Sequence, residues 1–580
     1  MIWSPSSGSH ALVFFSMPPL FHTLTHLLSS QSAFAAQLPL YDPREPRLGA
    51  VASESTICSN IGIDLLRRGG NAADALVGTT FCVGVIGMYH SGIGGGGFML
   101  VRTPEGTYED IDFRETAPAA AFEDMYSGNV NGSVRGGLAS GVPGEVRGLQ
   151  HLHEKYGKLS WEEVVMPAVG VARNGFEVSE DLVRYMEFAR QGHDNFLSED
   201  PNWAVDFAPN GTLLDVGDTM TRKRYAATLE TIAKQGPDSF YEGPMAEAMI
   251  SAVQKENGTM TLNDLKNYKV EIRKPAKIEY RGYKLHGSAS PASGSIALAM
   301  MKIVEGYEDF GSPAKLQLNT HRLDEAMRFG YAMRTKFGDP DFVNGLHHYE
   351  NEILNSATAA ETRNHISDFC TFNVSHYNPS GIEIKNAHGT SHVVTADASG
   401  LAISLTTTIN LLFGSQVLVP STGVIMNDEM NDFSIPHVSN EFGYAPSPSN
   451  YIQPGKRPMS SIAPVIVDDA NGRLYFVTGA AGGSRIVTAS LLSLWHVLDR
   501  NMSVLDALRE PRFHDQLIPD RCLMEAQFDN ETVAFMKDRG HNVSVVDYGL
   551  SSAQALRLWP NGTFEAAGEP RQKNSGGYAI

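Results

Sequence analysis

The chain has 580 residues, 42% of them hydrophobic and 19% charged, an ordinary globular composition long enough for a large core and two or more folded units. Its formal net charge of −19 argues against nucleic acid as a partner, because phosphate contacts need clustered Lys and Arg. There is no heptad run, low-complexity tract or internal repeat, which removes coiled coils and solenoids.

No Lys or Arg precedes Arg44, residues 11–28 are apolar but broken by Pro18-Pro19, and Ala33-Phe34-Ala35 has the small-residue spacing of a cleavage signal. Residues 1–36 are therefore expected to be a signal peptide or signal anchor, placing the protein in the secretory pathway, secreted or attached to the outer face of a membrane. Next, Ser53-Glu54-Ser55 offers an N-cap to a helix with Ile57, Ile61 and Leu65 on one face; Gly69-Gly70 ends it, and Asn71 caps a second helix over 72–83. Gly92-Ile93-Gly94-Gly95-Gly96-Gly97 leads into a strand over 98–102. No Gly-Lys-Ser/Thr follows, so this is no phosphate loop; it reads as a backbone crossing too tight for side chains.

Helices are predicted over 143–158 and 160–173, the latter with Ser160 and Glu163 at capping-box spacing and Gly175 past its end. Thr261 with Asp264 begins a short helix, 278–286 reads as one strand, and 295–307 and 316–337 read as long helices. Residues 342–385, polar and weakly patterned, are expected to be a mobile connector. Two hairpins follow, over 390–409 and over 462–477 with its turn at Asn471-Gly472. Gly482-Gly483 opens a helix over 484–498, and short strands complete a mixed α and β chain.

Sequons at Asn131, Asn210, Asn257, Asn373, Asn501, Asn530, Asn542 and Asn561 fit an extracellular protein provided those residues lie on the surface. The four cysteines, Cys58, Cys82, Cys370 and Cys522, allow one or two disulfides and are too scattered for a zinc site. A Cys58–Cys82 bridge would join the first two helices.

The chemistry-bearing groups lie mostly in the second half. Thr390 opens a Thr-rich hairpin, which read locally is only strand propensity. Gly482-Gly483 at a helix N-terminus has unpaired N–H groups suited to an oxyanion. Glu429 and Asp432 are carboxylates three apart, Ser460-Ser461 follows Pro454-Gly455-Lys456-Arg457-Pro458, and Arg114 follows a strand.

Together these segments closely resemble the γ-glutamyltranspeptidase (glutathione hydrolase) family, from about Leu48 to Ile580. The markers, in the family's order, are GIGGGGFML, DFRETAP, GVPGEV, GTSHVVTADASG, TTTINLLFGS, MNDEMNDFSIP, PGKRPMSS and GAAGGSRI. The stretch NEFGYAPSPSNYIQPGKRP is more similar to the eukaryotic members. The resemblance implies an N-terminal-nucleophile hydrolase, a four-layer αββα sandwich of the α/β (α+β) class. It implies self-cleavage between Gly389 and Thr390, giving a large subunit (37–389) and a small catalytic subunit (390–580) that associate as a heterodimer.

It further implies that Thr390 is nucleophile and, through its freed α-amine, general base. Thr408 orients it, and Gly482 and Gly483 form the oxyanion hole. Arg114, Ser460 and Ser461 hold the substrate α-carboxylate, while Asn410, Glu429 and Asp432 accept from its α-amine. His392 is left structural. The Cys58–Cys82 pair matches a disulfide of eukaryotic members; Cys370 and Cys522 have no assigned partner. Glutathione and other γ-glutamyl compounds are the expected donors, with water, amino acids or dipeptides as acceptors, and no metal or organic cofactor is implied. The alternatives are a β-lactam-type acylase on the same fold, which need not keep the zwitterion clamp, and a non-catalytic surface relative.

Overall fold

The computed structural model describes residues 47–190, 195–380, 389–436 and 446–580. The expected leader, 1–36, lies outside them, as do residues 381–388 just before the expected cut. Two antiparallel sheets stack at the centre. The seven-stranded sheet runs, edge to edge, Gly576–Ala579, Gly49–Ser53, Gly389–Asp397, Ala402–Asn410, Gly96–Arg102, Tyr108–Phe113 and Glu271–Arg273. The six-stranded sheet runs Phe564–Ala567, Ser552–Leu558, Leu474–Ala481, Val465–Asp468, Tyr283–Gly287 and Ala276–Tyr280.

Side-chain alternation makes the layers. Val394, Ala396, Ala50, Ala52 and Leu100 of the first sheet meet Ile466, Val477 and Leu556 of the second in a dry seam. Their neighbours one residue along, such as Val393, Met99 and Val101, turn outward and pack against the helices Thr56–Arg67, Ala72–Ile86 and Glu145–Tyr156. The other sheet's outer face is covered by Gly294–Val304 and Arg485–Leu494. The result is the αββα sandwich. Both sheets contain strands from either side of residue 389, so the two expected subunits are not separate domains; they share each sheet.

The Ala72–Ile86 helix is buried along its whole length, as a helix apolar all round must be. Asn71 and Asp74 form its capping box, and Asp397 from the hairpin turn accepts from the Ala72 N–H at 2.9 Å. Cys82 on this helix is bonded to Cys58 on the preceding one, with Cα atoms 5.3 Å apart. Cys370 is exposed and Cys522 buried, both as free thiols, so the even cysteine count yields one disulfide among the described residues.

Two expectations are corrected. The single strand read over 278–286 is a hairpin, Ala276–Tyr280 and Tyr283–Gly287, turning at Arg281 and Gly282, both at positive φ (46° and 87°). An Arg in that position gives no Asn-Gly-type turn signal. The connector read over 342–385 contains helices Leu346–Ile353 and Ser356–Asn364. They are too short and polar for periodicity to reveal; the first is held by Glu350, which accepts from Ser290 N–H and the Ser295 hydroxyl, and the second by Arg363, which donates to the Ile303 carbonyl at 2.7 Å.

The glycine run does mark a backbone crossing. A Cβ on Gly94 would lie 2.0 Å from the Ile425 carbonyl oxygen, one on Gly95 2.0 Å from that of Thr408, and one on Gly97 2.1 Å from that of Thr406. These glycines let the Gly96–Arg102 strand lie flush against the hairpin that ends at the candidate site. Gly95→Ala is expected to destabilise the protein by about 1–3 kcal/mol through overpacking. Gly170→Ala, in a helix where the added methyl meets nothing within 4 Å, should stabilise by about 0.5–1 kcal/mol. Denaturant unfolding of the two variants checks the opposite signs.

Candidate active site

Thr390, His392, Val394 and Ala396 share one face of their strand, the face turned to the second sheet. His392 sits in the seam, buried, against Gly479, where a Cβ would come within 2.3 Å of the imidazole. Burial depresses its pKa to about 3, and its Nδ1 lies 2.8 Å from the Thr406 hydroxyl. It is a neutral packing residue, as expected. Two residues earlier the same face reaches the end of the seam, and Thr390 emerges there, 5% exposed, lining a cleft on either side.

Directly across the ladder is Thr408. Its hydroxyl donates to the Gly389 carbonyl oxygen and accepts from the Asn410 N–H at 2.7 Å. The strand bulges between Thr408 and Asn410, and Asn410 takes a left-handed φ of 73°, a conformation Asn tolerates better than most residues. The Asn410 amide nitrogen donates to the Asp428 carbonyl at 3.0 Å, so the group it presents to a ligand is its carbonyl oxygen.

Glu429 and Asp432 lie three apart on one 3-10 turn, Glu429–Asp432, a spacing that eclipses side chains on that helix. Both reach Arg114: one guanidinium nitrogen donates to Glu429 and another to Asp432 at 2.5 Å. The carbonyls of Pro458 and Met459, each 3.4 Å away, take further N–H groups. Ser461 accepts from Arg334 at 3.0 Å, which leaves its proton free to point into the cleft. Ser460 Oγ accepts from the Ile462 N–H at 3.2 Å.

Burial would depress the Arg114 guanidinium; Glu429, Asp432 and Glu115 outweigh it and hold the charge more firmly. Burial pushes the Glu429 carboxyl well above its ordinary range, with Arg114 opposing and Glu115 adding to the rise. Glu115, fully buried and 3.9 Å from Arg114, is pushed up to about 8, again chiefly by burial. As two carboxylates, Glu115 and Glu429 would leave three oxygens with no donor; a proton between them relieves the like-charge repulsion and pairs two of the three. Burial therefore favours keeping a proton on this pair beside the Arg.

Gly482 and Gly483 follow the Leu474–Ala481 strand at φ 125° and 63° and precede the Arg485–Leu494 helix. Only glycine adopts two such angles in succession without strain, and the turn lies at the N-terminal end of that helix, lining the clefts that Thr390 borders.

One cleft with about 560 Å³ of empty space is lined by Arg114, Thr390, Thr408, Asn410, Glu429, Asp432, Ser460, Ser461 and Gly483; Gly482 lines the adjoining cleft, which Thr390 also borders. Every site residue expected from sequence thus converges on Thr390. Three neighbours escaped the sequence reading. Arg334, the last residue of Leu316–Arg334, reaches the cleft from a helix with no local signal, and Asn450 lines it while bracing the Met459 N–H at 2.9 Å. Glu115 is adjacent to the expected Arg114, but its burial belongs to the fold alone.

The profile of the gamma-glutamyltranspeptidase family matches residues 58–579. The chain belongs to this family. It is 53% identical to a glutathione hydrolase proenzyme of Arthroderma benhamiae over 96% of this chain and 98% of that one. It is 47% identical to a glutathione hydrolase of Aspergillus flavus over 96% and 97%. Among solved structures, a cephalosporin acylase from Bacillus halodurans superimposes with a TM-score of 0.81 at 26% identity, covering 94% of this chain and 99% of that one. The γ-glutamyltranspeptidase assignment makes the protein an enzyme and agrees with the αββα layers and with an N-terminal-nucleophile hydrolase fold.

The Glu115 carboxyl, with a folded pKa of about 8 against about 4.3 when unfolded, takes up a proton on folding between those values. Stability from this group is therefore complete at low pH and is lost as pH rises, by at most about 1.4 kcal/mol per unit. Glu115→Gln abolishes the uptake. Thermal scans at matched rates should show the variant gaining on the wild type from pH 5 to pH 8; a flat difference would contradict the raised pKa.

Proposed function

We propose that this enzyme cleaves the γ-glutamyl bond of glutathione and its conjugates, passing the γ-glutamyl group through an ester on Thr390 to water or to an amino acid or dipeptide. The observation that carries the proposal is the meeting of Thr390, the Thr408–Gly389 contact and a two-ended charge clamp in one cleft. In the precursor, Thr408 polarises the Gly389 carbonyl by donating to its oxygen; Thr390 Oγ1 attacks that carbon, the Gly389–Thr390 C–N bond breaks, and water hydrolyses the resulting ester. The freed Thr390 amine takes the hydroxyl proton in each later turnover, since α-amines ordinarily titrate at about 7.7–8.0 and are part-unprotonated near neutral pH.

The clamp fits a zwitterion. Arg114 with Ser460 and Ser461 receives the α-carboxylate, a planar fork on a planar anion. Asn410, Glu429 and Asp432 receive the α-ammonium. Without substrate Arg114 is paired with the clamp carboxylates, which avoids leaving it a buried unpaired ion; the incoming zwitterion replaces each partner with one of equal sign. Gly482 and Gly483 N–H groups stabilise the oxyanion. The cysteinylglycine amine leaves with the proton, and deacylation reverses the sequence.

Secretion is the proposed route. All eight sequon asparagines are exposed, as glycosylation requires, and one disulfide is present. No helix among the described residues is long and apolar enough to cross a membrane.

The similarity to a cephalosporin acylase makes the acylase the reading to exclude. A glutaryl group is a γ-glutamyl group without its α-amine, so it forfeits Asn410, Glu429 and Asp432. The enzyme should hydrolyse γ-glutamyl-p-nitroanilide with kcat/KM at least about a hundredfold above glutaryl-p-nitroanilide, since a site built for a polar group rejects the analogue lacking it. Arg114→Ala should lower turnover of both by a similar factor while the chain is still cut. Preference for the glutaryl compound would overturn the proposal.

A further inference from the structure

Thr390 borders two clefts, and the clamp occupies one. The other, with about 1370 Å³ of empty space, is lined by Gly482 of the oxyanion turn, by Arg184, Arg485 and Arg571, and by the rings of Tyr185, Phe188 and Tyr548. Its single acid is Asp547, which is exposed. Two of the arginines are already neutralised: Arg571 by Glu525 at 2.6 Å and Glu569 at 3.0 Å, and Arg184 by Asp181 at 2.9 Å. Arg485 is not. Its guanidinium donates to the Leu550 carbonyl at 3.0 Å and has no carboxylate within salt-bridge distance among the described residues. Burial opposes its charge. An arginine that is largely desolvated without a counter-ion is costly unless a ligand supplies one. Arg485 is also the first residue of the helix that follows the oxyanion turn, and a helix N-terminus favours an anion.

We propose that this second cleft receives the acceptor, and that Arg485 binds the acceptor's C-terminal carboxylate. The assignment rests on the γ-glutamyl-transfer reading. The acceptor it selects is a short peptide with a free α-amine at Thr390 and a free carboxylate at Arg485, its side chains against the aromatic wall. The α-nitrogen bonds to the γ-carbonyl carbon of the acyl ester, the C–O bond to Thr390 Oγ1 breaks, and the proton shed by the nitrogen returns to Oγ1. The same contacts hold cysteinylglycine as it leaves, because deacylation by a peptide is acylation in reverse.

The test uses the processed enzyme, γ-glutamyl-p-nitroanilide as donor, and two acceptors, glycylglycine and glycylglycinamide, which differ only in the terminal carboxylate. The wild type should show a KM for glycylglycine at least about tenfold below that for the amide, the scale of a charge-assisted hydrogen bond. In Arg485→Met the two constants should fall within about twofold of each other. Arg485→Lys, which keeps the charge but loses the fork, should lie between. Taking the ratio within each enzyme cancels any effect of the substitution on the neighbouring oxyanion turn. A wild type indifferent to the carboxylate, or an Arg485→Met enzyme that keeps the preference, overturns the assignment. Failure of the wild type to release p-nitroaniline at all would instead remove the γ-glutamyl reading beneath it.

Discussion

The contact on which the site depends is the hydrogen bond from the Thr408 hydroxyl to the Gly389 carbonyl, made across the last rung of a buried hairpin. It fixes the residue before Thr390, the residue after it lies in the ladder, and Thr390 is left facing the open end of the sheet seam. The bulge that follows brings Asn410 into the same cleft. The glycine run on the neighbouring strand is what permits this: Gly95 lies where any side chain would strike the Thr408 carbonyl. Backbone closeness on one side and a hydroxyl contact on the other thus hold the proposed nucleophile to one position.

Around that point the protein keeps an unusual amount of charge out of water. Arg114, Glu429, Glu115 and Glu145 are all nearly or fully buried. Two features make this tolerable. The Arg lies between Glu429 and Asp432, and the surplus negative charge is reduced by protons, because burial raises Glu115 to about 8 and Glu145 to about 7. Glu145 sits one layer away, accepting from the Thr407 hydroxyl on the helix-facing side of the same hairpin. Arg114 is thus paired with carboxylates before any ligand arrives.

Much of this was legible in the chain, for reasons that differ by residue. The helix starts at Asn71, Ser160 and Thr261 are encoded locally and form where the sequence places them. Arg114, Thr390, Asn410 and the Gly pair stand out only through ordered motifs; their convergence is tertiary, created by pairing strands from residues 96–113 with strands from 389–410. What periodicity missed was either too short, as with the helices over 346–364, or set by an atypical turn, as at Arg281-Gly282. Glu115, Arg334 and Asn450 act through burial or through reach from distant elements, and no spacing encodes either.

The interleaving of strands has a consequence for the proposed cut. Breaking the chain before Thr390 frees an amine without separating two domains, since both pieces remain strands of the same two sheets. N-terminal sequencing of the smaller band, after denaturing electrophoresis of the purified protein, tests the central claim most directly. The account predicts two bands and a small chain whose first residues are Thr390, Ser391 and His392. A chain that remains whole, or a small chain that begins at any other residue, would contradict it.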